Sequence, residues 1–281
     1  MTTHAFNDTA HWLPLDQLEP GFDANKAATS ALLDGTSISI TTGDGTVIGH
    51  DFAGGTVTWT LTQPDGGLDL GTDPYEAFQV ADGLFYVQFH HARTHPEEAV
   101  SAFFDLSNGV ALCVLSFIGP AGGDGATRVT QQFVPATVNG ASDRGPLPVP
   151  TEDLVGRRVL WRYSAQHVYE HYYLNDLWYT WHCVTGPEGG QADTDEQTTY
   201  RLRPGIYVFA WREKVIPCAS VTVADHRDAL ALRSHGVLFG LNEDETRLSH
   251  FTFGAHGSLV GISDPVGALE STARHSEQRR N

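Results

Sequence analysis

The segment Ile206-Tyr207-Val208-Phe209-Ala210-Trp211-Arg212-Glu213 ends an aromatic row with a carboxylate. A strand's period of two puts Tyr207, Phe209, Trp211 and Glu213 on one face. A carboxyl buried there is costly unless hydrogen-bonded or protonated. A raised pKa would fit it for general acid or base work near neutral pH. The competing reading is a rim carboxylate paired with Arg212 or Lys214 in solvent. A second segment, His167 to Tyr173, lays His167, Tyr169, His171 and Tyr173 on one face, just after Trp161 and Tyr163, which share another. Such a face either lines a polar cavity or meets water.

Other chemistries find less support. His90-His91 with Arg93 and His95, and His167 with His171, lack a complete ligand set, so no metal and no cofactor is expected. Asp225-His226 with Ser220 or Ser234 lacks the Gly-x-Ser-x-Gly elbow of a nucleophilic serine. Gly119 to Gly125 precedes a strand and carries Asp124, so it reads as a hairpin loop and not a phosphate cradle. Cys113, Cys183 and Cys218 are widely spaced, without a CxxC, which points to packed thiols in a reducing cytoplasm. The net charge of −17 argues against nucleic acid and anionic membranes as partners. No apolar run reaches spanning length, and the start of the chain lacks a signal-peptide pattern.

The elements that must position these groups follow from an internal repeat of about 122 residues. Val57-Thr58-Trp59-Thr60 falls on Tyr179-Thr180-Trp181-His182, and Phe78 to Phe89 falls on Tyr200 to Trp211. Each copy alternates short runs rich in Val, Thr and aromatics with Gly, Asp and Pro clusters, predicting an all-β chain of two tandem antiparallel β-barrels; a sandwich fits the strand count equally. The expected layout is a lead-in over 1–30 that packs on a barrel, a first barrel over 31–140, a Pro-rich linker over 141–155, a second barrel over 156–265 and a polar tail over 266–281. Short helices are expected near Asp16 to Leu18 and Ala268 to Arg274. Residues 35–140 hold two basic residues against eleven acidic ones, and 156–261 hold ten against twelve, so the copies have diverged. Where the second copy has Tyr207, Trp211 and Glu213, the first has Phe85, Phe89 and His91. The site is therefore expected in the second barrel, with the first a filled scaffold.

The duplicated pattern, with Pro20-Gly21-Phe22-Asp23-Ala24-Asn25 ahead of the first copy, resembles the MoaF family across nearly the whole chain. In the second copy, Gly156 to Tyr163, Tyr169 to Asp176, Asp195-Glu196-Gln197 and Gly205 to Glu213 also resemble the bacterial phenolic acid decarboxylases. Both resemblances imply calycin, lipocalin-like barrels that hold small ligands. The decarboxylase pattern assigns the proton-handling glutamate to Glu213 and pocket tyrosines to Tyr163 and Tyr169. Trp161 stands where its first carboxylate-gripping tyrosine would be, and Gln191 to Thr194 lacks its arginine.

Together these readings give a catalytic set of Glu213, Tyr163 and Tyr169, with Trp161, His171, Trp181, Tyr207 and Trp211 contacting substrate. The expected function is cofactor-independent acid–base chemistry of lyase, isomerase or cyclase type on an aromatic or conjugated small molecule, in specialised or phenolic metabolism. The alternative is a non-catalytic calycin that binds a small molecule, linked to molybdenum-cofactor or amine metabolism. Whether the barrels meet within one chain or across a homodimer is left open by the sequence.

Overall fold

The computed structural model describes residues 12–120, 128–142, 144–243 and 245–264. The tail and its expected helix from Ala268 to Arg274 lie outside the described residues. The chain opens with one helical turn, α1 (Leu15–Leu18). Eight strands follow: β1 (Ser37–Thr42), β2 (Val47–Ala53), β3 (Thr56–Thr62), β4 (Leu68–Ala81), β5 (Leu84–His90), β6 (Glu98–Asp105), β7 (Val110–Ile118) and β8 (Val129–Val138). Each pairs antiparallel with the next, and β1 returns to β8 through Ile40 opposite Val138 and Thr42 opposite Ala136. Closure removes both sheet edges and excludes a sandwich.

The two-residue strand β9 (Val149–Pro150) lies in the Pro-rich connection. Eight more strands follow: β10 (Arg157–Arg162), β11 (Val168–Tyr173), β12 (Trp178–Thr185), β13 (Ala192–Arg203), β14 (Ile206–Arg212), β15 (Cys218–Asp225), β16 (Leu232–Leu241) and β17 (Leu248–Ile262). They again pair in sequence order, and β10 closes on β17 with Trp161 opposite Gly257, while β9 adds to β13. The fold is thus all-β, with two closed eight-stranded barrels in tandem.

The repeat is carried down to register. The β4–β5 hairpin turns at Gly83 (φ 65°) and the β13–β14 hairpin at Gly205 (φ 77°), a backbone region that glycine enters without strain. Phe78 faces Tyr86 in the first hairpin and Tyr200 faces Val208 in the second. Each has a register shift just before its turn, at Gln79/Ala81 and at Arg201/Arg203.

Strands β5 and β14 are buried over nearly their whole length, which explains why they read as continuous apolar runs. On β5, Phe85, Val87 and Phe89 face the lumen, while Leu84 and Tyr86 join Val208, Ala210 and Val221 in a core between the barrels. The barrels therefore meet within one chain. Polar groups sunk in this contact are satisfied across it. Tyr86 donates to the Val221 carbonyl (3.2 Å), and Gln131 Nε2 donates to the Ser220 carbonyl (3.0 Å). Arg203 grips Asp105 with Nε and Nη2 at 2.8 and 2.6 Å, holding its carboxyl below the usual range against the cost of burial. Among the described residues no helix is long and apolar enough to cross a membrane.

The Arg203–Asp105 fork joins the two barrels where Asp105 is almost fully covered. Arg203→Ala, which strands that carboxylate, should lower unfolding stability by about 2–5 kcal/mol. Arg227→Ala, which breaks the more exposed pair with Asp225, should cost under about 1 kcal/mol. Urea denaturation of both variants checks the pair; equal costs would show that the fork does not hold the contact.

Candidate functional site

The lumen of the second barrel is lined by every second residue of its strands, and their bulk nearly fills it. A residual cavity of about 50 Å³ remains. Around it the structure brings together six of the residues singled out from sequence: Tyr163, Tyr169, His171, Trp181, Trp211 and Glu213. Trp161 and Tyr207 share the inward faces but do not reach this cavity. They lie beside His226, at ring distances of 5.9 and 5.7 Å, and Arg157 caps the Tyr207 ring. The reason is depth. Parity selects the face, but each residue advances the strand by about 3.3 Å, so Tyr207 sits some 13 Å below Trp211.

Glu213 follows β14 directly, and its main-chain N–H bonds to the Cys218 carbonyl at 3.0 Å. Its carboxyl lines the cavity and accepts a hydrogen bond from Trp211 Nε1 at 3.0 Å. The flanking cations are engaged elsewhere: Arg212 with Glu196 (3.3 Å) and Gln131 (2.9 Å), Lys214 with Asp193 (2.9 Å). The rim ion pair that the sequence left open is thereby replaced by an inward carboxyl. Burial pushes its pKa well above the ordinary value; the charge of Asp195 adds to the rise and the Trp211 hydrogen bond opposes it. Burial likewise raises Tyr163, Tyr169 and Tyr179, so their hydroxyls stay protonated. His171 is pushed down to about 3 by desolvation and is a neutral imidazole at ordinary pH.

Three participants had no role in the sequence reading. Glu188, in the loop after β12, accepts the Tyr169 hydroxyl at 2.6 Å, and burial raises its pKa. Nothing in its Gly-Pro-Glu-Gly-Gly context says that this loop folds inward. Tyr179 alternates with Trp181 on β12, and that parity was a usable signal. Asp195 accepts Trp181 Nε1 at 2.9 Å and is completely buried. Its counterpart was visible in the repeat: Trp59 donates to Asp73 at 3.0 Å in the first barrel. A clamp present in both copies has a structural duty, tying β3 to β4 and β12 to β13.

The mouth of this cavity is closed by the lead-in that precedes the other barrel. Leu15 and Leu18 of α1 and the Phe22 ring line it, with Phe22 stacked on Tyr163 at 4.4 Å. Asn25 anchors this segment through its N–H to the Tyr163 carbonyl (3.0 Å) and its side chain to the Arg162 carbonyl (2.9 Å). The first barrel departs from the filled scaffold expected of it. It encloses a cavity of about 300 Å³ that reaches His50, Trp59 and His91. Among the described residues no three His, Cys, Asp or Glu groups are placed to hold a metal ion.

Comparison with known proteins agrees with the duplication. Residues 10–119 match the MoaF N-terminal domain and residues 148–262 the MoaF C-terminal domain. The chain is 36% identical over 138 residues to "Protein MoaF" of Klebsiella aerogenes, an alignment covering 49% of this chain and 51% of that protein. It thus spans about half the length of this curated relative. A solved structure described as "a putative beta-lactamase from Burkholderia vietnamiensis" aligns at 16% identity over 38% of this chain and 96% of that one, with a TM-score of 0.32. The decarboxylase resemblance is not among these matches.

The raised pKa of Glu213 has a consequence for stability. Above the unfolded value of 4.5 the unfolded chain releases this proton while the folded chain keeps it, so the group costs stability as pH rises. Gln does not titrate. The stability of Glu213→Gln relative to wild type should therefore grow as pH rises above 4.5, as read from denaturant midpoints. A difference independent of pH would mean that the carboxyl is not held protonated.

Proposed function

The chain belongs to the MoaF family, and from that premise we propose that its second barrel is an acid–base site for an aromatic or conjugated small molecule. The observation that carries this reading is the Glu213 carboxyl, turned into an aromatic cavity where burial favours its proton-bearing form. A carboxylic acid so placed can deliver a proton to a conjugated system and recover it afterwards, at the pH where general acids work best. The Tyr163 hydroxyl stays protonated and can donate to a ligand, while Tyr169 donates its proton to Glu188 and keeps its oxygen as an acceptor. The Trp181 and Trp211 faces give a planar ligand something to stack on. Lyase, isomerase and cyclase reactions that move a proton through a conjugated system can use this set. The ligand is a small molecule, and the acidic surface disfavours nucleic acid.

One observation favours a second reading, a carrier without turnover. With the lead-in seated, the cavity holds about 50 Å³, whereas a cavity that binds one benzene measures roughly 150 Å³. Access therefore requires α1 and Phe22 to withdraw, and such a closure serves a carrier as well as an enzyme.

A panel of phenols, hydroxycinnamates and conjugated ketones, followed by proton NMR in D2O, separates the two readings through deuterium incorporation or product formation. Glu213→Gln should lower the observed rate by about 10²–10⁴ while binding stays within about tenfold. Tyr163→Phe should cut the rate markedly, and His91→Gln in the other barrel should leave it near wild type. Binding without exchange or turnover across the panel would assign the carrier role. A Glu213→Gln rate near wild type would remove the acid–base assignment.

A further inference from the structure

The two cavities occupy the same place in the repeat. Ile48, His50, Trp59, Phe89 and His91 of the first barrel stand where Tyr169, His171, Trp181, Trp211 and Glu213 stand in the second, and each set lines its own cavity. The first is the roomier, at about 300 Å³, within the range of small-molecule sites.

Its polar groups are buried, with bonding capacity unspent. His50 is 2% exposed, lies parallel to Phe52 and meets the Phe104 ring edge-on at 5.1 Å. One side of its ring is turned to the Ile38 backbone, a contact that favours the proton there, and its Nδ1 has no partner among the described residues. His91 is 6% exposed and stacks on Trp59 at 4.3 Å. Its Nδ1 lies 3.0 Å from Glu98 Oε1 without hydrogen-bond geometry, and neither of its ring nitrogens has a hydrogen-bond partner among the described residues. Two buried imidazoles with unmet ring nitrogens thus stand in the wall of a cavity that also has Val100, Leu115 and aromatic faces. Each left unmet costs free energy that a donor would recover.

The approach is acidic. Asp69, paired with His95 at 2.8 Å, and Glu98 also line the cavity, and residues 35–140 carry two basic groups against eleven acidic ones. An anionic ligand would meet these carboxylates, and His95, the basic side chain beside them, is already paired with Asp69. We propose that the first barrel is a second ligand-binding site, separate from the Glu213 cavity. It takes an uncharged aromatic molecule of one or two rings that donates hydrogen bonds through O–H or N–H groups to His50 and His91.

Calorimetric titration of the full chain with three probes tests this: catechol, which has two donors, 1,2-dimethoxybenzene, which has the same ring and none, and benzoate, which is anionic. Catechol should bind saturably, and the other two about fivefold or more weaker. His50→Phe and His91→Phe should each weaken catechol by about fivefold or more, while Glu213→Gln leaves its affinity unchanged. Absence of saturable catechol binding, equal binding of dimethoxybenzene, or loss in Glu213→Gln alone would overturn the proposal. Should a histidine variant fail to fold, hydrogen exchange of the wild-type chain decides. Catechol should protect peptides from β2, β3 and β5; protection confined to the second barrel, or none, overturns it.

Discussion

The width of an eight-stranded lumen is the constraint on which the rest of this structure depends. Closure fixes strand number and spacing, so the interior is just wide enough for side chains to fill or for one small ligand. Whether it is filled is then decided by residue size at a few equivalent positions. With Tyr169, Trp181 and Trp211 inside and Leu15, Leu18 and Phe22 across the mouth, the second barrel keeps about 50 Å³. With Ile48 and Phe89 at the matching positions, the first keeps about 300 Å³. The backbone is the same device twice; the side chains set what each copy can admit.

Closing two barrels removes their edges but leaves an outer face on each to be covered. Here each covers the other. Leu84 and Tyr86 on one side and Val208 and Ala210 on the other make β5 and β14 apolar on both faces, which is why neither strand shows the alternation of a half-exposed strand. The lead-in adds a second tie: Lys26 bonds Glu76 of the first barrel and Thr252 of the second, while Asn25 holds β10. The segment that shuts the second cavity is therefore anchored to both barrels, which couples that mouth to the packing between them.

The duplication, the all-β class and the inward parity of the candidate strands were legible because period-two patterning and glycine turns are local signals. Depth along the lumen was not, since parity names a face and says nothing of height; Trp161 and Tyr207 were grouped with Glu213 although they lie by His226. Glu188 was invisible because a loop's folding direction depends on what it packs against. The closure by Leu15, Leu18 and Phe22 was half legible: their apolarity showed that the lead-in must dock, but docking on the second barrel, over about 140 residues of sequence, is a tertiary fact. The first barrel was misjudged for a related reason. Losing hydroxyls and a carboxyl looked like a change to a packed core, but Ile48 and Phe89 do not fill the volume that Tyr169 and Trp211 do.

Desolvation gives the two cavities a common chemical character from opposite starting points. Burial disfavours whichever form is charged. It raises the Glu213 carboxyl, favouring its proton-bearing form, and lowers the His50 imidazole to about 4, so that ring is neutral at neutral pH. Each lumen thus holds groups shifted toward their uncharged forms, Glu213 and His171 in the second and His50 in the first. A protonated carboxyl and phenolic hydroxyls donate, and imidazole nitrogens accept. The duplication has kept one scaffold and an imidazole at the same repeat position in each copy, His50 and His171, so the lumens are told apart by the tyrosine hydroxyls that line the second and by the volume that the first leaves open.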